Sequence, residues 1–281
     1  MKCKFACADF SFPLLGEKVL SLISLLGIPG VDIGLFENRG WLWPSKELKK
    51  PAYSGSQLRK KLDAEGLHLA DMFLIAATDF ESRAINHPDS VIRKNLREQF
   101  LRALEYTVSA GGKHFTTLPG TEWKGVPYDE ALARSSEELA WRLSKADEAN
   151  ISFSVEAHLG SLTPKPAQAL RLLKMTPGLT LTLDYGHFIY QGIENKEVHS
   201  LIPFASHFHA RCGAVKRLQA PFKANAIDFP GILKTMKRSR YAGWIGLEYV
   251  WIDWEGCNEL DNLSETILLR QHLEKIAEAL T

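Results

Sequence analysis

The sequence predicts an α/β fold, a (β/α)8 TIM barrel, occupying residues 1–281 as one domain. Three observations lead to that expectation. A strand-like run followed by a helix-like run can be read eight times along the chain, and such alternation implies parallel strands joined by right-handed crossovers. The length of 281 residues suits a closed barrel, which commonly takes about 250. An open, doubly wound sheet would be expected to show Gly-x-Gly-x-x-Gly after its first strand, and no such motif follows residue 8.

Taken in order, residues 2–8 read as the first strand and 13–26 as a helix that Gly-Ile-Pro-Gly ends, since Gly and Pro interrupt regular structure. Residues 31–36 form the second strand. The polar and aromatic loop 37–54 that follows, with Trp41 and Trp43, is too long for a plain connector and reads as a pocket wall. A short helix at 57–65 precedes the third strand at 67–75, and a loop with Asp79 and Glu81 leads to a long helix at 88–110. Gly111 and Gly112 stop that helix before the fourth strand at 113–118. A loop at 119–127 carrying Trp123 leads into the helix at 128–149.

The last four strands are the most informative. Ile-Ser-Phe-Ser-Val-Glu-Ala-His carries Glu156 and His158; Leu-Thr-Leu-Thr-Leu-Asp-Tyr-Gly-His carries Asp184 and His187. Ala-Ser-His-Phe-His-Ala-Arg carries His207, His209 and Arg211, and Gly-Trp-Ile-Gly-Leu-Glu-Tyr-Val carries Glu248. Their helices fall near 166–175, 194–201, 229–239 and 259–280. In the last, Leu269, Leu273, Ile276 and Leu280 recur at helical spacing, as a core or subunit contact would, compatible with a homodimer or homotetramer.

Composition narrows the function classes. A formal net charge of +1 supplies no field toward nucleic acid or a membrane surface. No apolar run reaches the roughly 20 residues of a membrane span. Asp9, Glu17 and Lys18 interrupt the N-terminal apolar residues, so no signal peptide is expected. Cys3, Cys7, Cys212 and Cys257 have neither zinc-knuckle nor disulfide spacing and read as reduced thiols of a cytoplasmic protein.

Glu156, Asp184 and Glu248 each end an apolar run, where a carboxylate is costly to bury unless it is paired, protonated or on a metal. One such residue reads equally well as a structural ion pair. Three at matched strand ends, where parallel barrels place their active sites, point to a divalent-metal site. His209 adds an imidazole; His207 lies on the same face but a layer deeper. Three carboxylates and one imidazole suit Mn2+, Mg2+ or Co2+, with Zn2+ also accommodated. Trp41, Trp43, Trp123 and Trp251 fall in loops on that side of the barrel, where aromatic faces could touch a ligand.

Val-Glu-Ala-His, Leu-Asp-Tyr-Gly-His, His-Phe-His-Ala-Arg, Ile-Asp-Phe and Leu-Glu-Tyr-Val together resemble the sugar-phosphate isomerase/epimerase family of xylose-isomerase-like barrels. The resemblance implies one metal held by Glu156, Asp184, His209 and Glu248, with Glu156 and Glu248 also moving the proton. It implies that His187 and Arg211 contact substrate. Ketose 3-epimerases of that family carry Gly-Glu-x-Asn-Arg after the metal histidine, whereas this chain has Arg211-Cys-Gly-Ala-Val-Lys-Arg217, which leaves the substrate arginine open between Arg211 and Arg217. His158 also departs from those epimerases and adds an acid, a base or a substrate contact. A trinuclear-zinc nuclease on a related barrel would need histidines at the ends of strands three and four; His68 and His114 stand at the starts.

The sequence therefore predicts a metal-dependent isomerase or epimerase of a small sugar or cyclitol, acting through an enediolate. The alternatives are a dehydratase of the inosose or 3-dehydroshikimate type and, from another class, a non-catalytic sugar-binding barrel.

Overall fold

The computed structural model describes residues 2–280. Eight parallel strands close into a barrel in chain order. They are β1 (Lys4–Ala8), β2 (Gly30–Phe36), β3 (His68–Ile75), β4 (His114–Thr117), β5 (Ser152–Glu156), β6 (Thr180–Asp184), β7 (Ala205–Ala210) and β8 (Trp244–Leu247). β1 pairs with both β2 and β8, and that second pairing closes the ring. No helix among the described residues is long and apolar enough to cross a membrane.

The strands alternate because the two sides of this barrel wall differ. Phe153 and Val155 of β5, Leu181 and Leu183 of β6, and Ile245 and Leu247 of β8 join the apolar core under the helices. The intervening residues face the barrel axis, and in β5 and β6 they are polar. Ser154, Thr180 and Ser206 hydrogen-bond to one another at 2.7–2.8 Å. Thr116 meets Thr182 at 2.6 Å, and His114 Nδ1 meets Asp71 at 2.6 Å. His207 Nε2 lies 3.0 Å from Asp32. Barrel axes are more often filled by Val, Ile and Leu; buried polar side chains persist here because they satisfy each other.

Glycine makes one of these layers fit. A Cβ on Gly246 would stand 1.8 Å from Asp32 Oδ2 and 3.2 Å from His207 Nε2. Gly246→Ala is therefore expected to destabilise the fold by about 1–3 kcal/mol, as overpacking does, read as a lower urea midpoint at unchanged slope. An unchanged midpoint would show that Asp32 moves aside freely.

Several helices differ from their sequence expectation for local reasons. Residues 13–26 are a 3-10 segment, Pro13–Lys18, broken at Gly16 (φ 55°), followed by the helix Val19–Leu25. The next barrel helix is Pro51–Ala64 rather than 57–65, because Pro51 sits in its first turn, where the missing N–H is no loss. The segment 194–201 divides into Asn195–Val198 and a 3-10 stretch, His199–Phe204, that contains Pro203. The last helix is Asn262–Ala279, begun by Asp261 accepting from the Leu263 and Ser264 N–H groups, after a 3-10 segment Trp254–Glu259.

One ion cluster lies between helices Ser90–Ser109 and Tyr128–Glu148. Glu138, 3% exposed, accepts from Arg97 at 2.9 and 3.0 Å and from Arg142 at 2.8 Å. Arg142 is itself 1% exposed, and its guanidinium lies 5.5 Å from the Phe100 ring centre.

Candidate active site

The strand alternation that makes the axis polar delivers the candidate residues to one end of the barrel. Glu156 and Asp184 are the last residues of β5 and β6, His209 is near the end of β7, and Glu248 directly follows β8. All four are buried, at 1–4% exposure.

Two groupings emerge. In the first, His209 Nδ1 faces Glu156 Oε1 at 2.7 Å and Glu248 Oε2 at 3.5 Å. Ligand atoms of these three residues lie within 4.8 Å of one another, and Glu248 Oε2 has no hydrogen-bond partner. An imidazole nitrogen and two carboxylates converging in a buried space fit a divalent ion. In the second, Asp184 Oδ2 accepts from Arg211 at 2.5 Å, and His187 Nε2 lies 3.3 Å from the same oxygen. Asp184 Oδ1 accepts from the Gly186 N–H at 2.7 Å. His187 Nε2 also stands 3.0 Å from Arg211 and 4.0 Å from Glu156 Oε2, so the groupings adjoin through Glu156.

Burial sets the electrostatics, and neighbouring charges decide each sign. Glu248 is pushed up to about 8 by burial, against the pull of His209 and Arg211. Burial also raises Asp184, with Arg211 opposing. For Glu156 burial acts upward too, but hydrogen bonding and charge from His209 outweigh it and hold the carboxyl below its ordinary value. Burial disfavours a charged His209, yet Glu248 and Glu156 outweigh that and raise it well above the usual imidazole range. His187 is held far below that range by burial and by neighbouring His158 and Arg211.

A cavity of about 410 Å³ opens over these groups, and Glu156, Glu248, His158, His187 and Arg211 all line it. His158 donates its Nδ1–H to the Leu159 carbonyl. Its ring lies 4.0 Å from that of His187 and stacks on Trp254 at 5.3 Å and 11°. The far wall is apolar: Phe10, Phe36 and Phe73 form a cluster with centroid spacings of 4.8–6.4 Å.

A (β/α)8 barrel whose catalytic-type residues meet at the strand ends can be compared with known proteins, and the model of the xylose isomerase-like TIM barrel matches residues 20–273. The chain belongs to the xylose isomerase-like TIM-barrel family. Among its structural neighbours is an L-ribulose 3-epimerase, at 15% identity over 99% of this chain and 97% of that one, TM-score 0.77. The D-psicose 3-epimerase of Clostridium cellulolyticum H10, solved with D-tagatose, is 14% identical over 97% and 99%, TM-score 0.76. A probable 3-DHS dehydratase of Bacillus anthracis is 13% identical over 95% and 98%, TM-score 0.70. No curated protein matches the chain.

Within this family member, Arg211 points into the site, while the other arginine left open by the sequence, Arg217, sits exposed in the turn at Ala214. His207 lies in the layer below His209, with Asp32. The tryptophans part company. Trp251 lines the cavity, whereas Trp41 donates to Asp9 at 2.9 Å, Trp43 to the Gly40 carbonyl at 3.1 Å and Trp123 to Asn86 at 3.3 Å. Trp254 and Phe80, both cavity-lining, were not expected from sequence. Trp254 follows Trp251 by three residues, which is the only sequence signal that could have flagged it.

Proposed function

We propose that this chain is a divalent-metal-dependent isomerase or epimerase of a small sugar or related polyhydroxy carbonyl compound, acting through an enediolate. The observation that carries the reading is that Glu156 and Glu248 share His209 Nδ1 between them while both line one cavity. Glu156, His209 and Glu248 would hold the ion, with neighbouring Asp184 as the fourth ligand. When bound, it would polarise the substrate carbonyl and stabilise developing oxyanion charge.

The chain's own residues would supply the rest. One glutamate takes the proton from the carbon beside the carbonyl, leaving its electron pair in the enediolate, and the other returns a proton from the opposite side. Arg211 and His187, paired with Asp184 and each other, would orient the substrate oxygens. The phenylalanine wall would keep water from the enediolate, and His158, fixed by the Leu159 carbonyl and the Trp254 ring, would contact a hydroxyl.

A dehydratase remains the second reading, favoured by the His158–His187 pair, whose rings lie 4.0 Å apart beside Glu156 and offer hydrogen-bond contacts to a departing hydroxyl. Incubating the Mn2+-loaded protein in D2O with ketoses, inososes and 3-dehydroshikimate separates the cases. Carbon-bound deuterium uptake without loss of water is expected. Loss of water would instead establish the dehydratase, and binding without exchange or elimination would establish a sugar-binding barrel.

A further inference from the structure

The turn after β2 places a cation in the cavity that none of the chemistry above employs. Arg39 lines the same space as Glu156, Arg211 and Glu248. It is presented by a tight turn in which both flanking residues, Asn38 (φ 55°) and Gly40 (φ 61°), take left-handed backbone conformations. Its guanidinium makes one side-chain hydrogen bond, to the Thr78 carbonyl at 3.2 Å. Among the described residues it has no carboxylate partner within ion-pair distance.

Another acid lining the cavity is already engaged. Asp79, also cavity-lining, accepts from the Glu81 and Ser82 N–H groups and from the Ser82 hydroxyl. Arg39 is partly buried, and burial alone disfavours its charge. A guanidinium carries five N–H donors in a planar fork that matches carboxylate and phosphate oxygens. Removing part of it from water without a counter-charge is costly. Here the adjoining wall is Phe36, packed on Phe10 and Phe73, which compensates none of that loss.

We propose that Arg39 is a substrate-specificity residue, and that the substrate carries an anionic group, a carboxylate or a phosphate ester, on the part of the molecule remote from the reacting carbonyl. This rests on the proposed isomerase or epimerase reading and narrows its substrate class. The polyol end would lie at Glu156, His209 and Glu248, its C–H face against the phenylalanine wall, and its anion on the Arg39 fork.

Calorimetric titration of the Mn2+-loaded protein with D-tagatose, D-tagatose 6-phosphate and 3-dehydroshikimate tests this with a neutral, a phosphorylated and a carboxylated probe. The wild type is expected to bind at least one anionic probe about tenfold or more tightly than D-tagatose, as a charge-assisted fork contact allows. Whichever anion is preferred identifies the group. In Arg39→Gln that preference should vanish, and in Arg39→Lys part of it should remain. A wild type that favours neither anion, or a preference that survives Arg39→Gln, overturns the assignment. Binding is read here without turnover. Failure of proton exchange with every probe would therefore sink the isomerase reading, while the titrations still decide Arg39.

Discussion

Glu156→Gln and Glu248→Gln are each expected to lower turnover by about 10²–10⁴-fold, the usual contribution of a positioned acid or base. The amide keeps the shape of the carboxylate and one oxygen that can face His209 Nδ1, so metal content should persist in both variants. The two residues sit at different strand ends, β5 and β8, yet their oxygens approach the same imidazole nitrogen at 2.7 and 3.5 Å. A substrate held there would expose different faces to each. Wash-out of the substrate proton into D2O, measured separately from net conversion, should then survive in one variant while conversion fails in both. If either variant converts substrate at near wild-type rate, a two-carboxylate mechanism is excluded. Loss of metal from either variant would show instead that the carboxylate's charge is needed for binding.

The largest stability effect is expected far from the cavity, at Glu138→Ala. Glu138 is the carboxylate for Arg97 and for Arg142, the latter 1% exposed. Breaking a buried pair by removing one partner strands a charge and typically costs about 3–5 kcal/mol. For a domain of this size that is a fall in melting temperature on the order of 10 °C. Arg97→Ala should cost less, because its side chain is 32% exposed and water replaces part of the lost contact. A Glu138→Ala melt within a degree or two of wild type would mean that Arg142 finds solvent once released.

Neither Glu138 nor Arg142 was legible as a pair in the sequence, since i,i+4 charges on a helix usually lie at the surface. The strands were far easier. Runs such as Ser-Phe-Ser-Val-Glu show their two faces directly, Phe153 and Val155 outward and Ser154 and Glu156 toward the axis. The strand ends also gave the candidate residues, because an ionisable group after an apolar run is conspicuous. What sequence could not show is which partner each takes. Asp184 has its oxygens on Gly186 and Arg211, and that depends on how β6 and β7 lie in register. Three of the four loop tryptophans were misleading for a similar reason. Trp41 turns back to Asp9 across 32 residues of chain, a contact no local pattern encodes, while Trp254 reaches the cavity from a 3-10 segment that no sequence pattern singled out.

The pairing of β1 with β8 links positions as far apart as Lys4 and Trp244. Asn262, at the start of the last helix, donates to the Ser11 carbonyl, and Arg270 donates to that of Leu26. Contacts of such long separation form late, because a long loop must close before they are rewarded. Glu248 directly follows that closing strand. The cluster of Glu156, His209 and Glu248 is therefore complete only once the ring has closed. Seven strands can be in place with Glu156 and His209 already side by side, and the third donor is still missing. The clustered negative charge is therefore assembled only at the step that also buries the two open sheet edges.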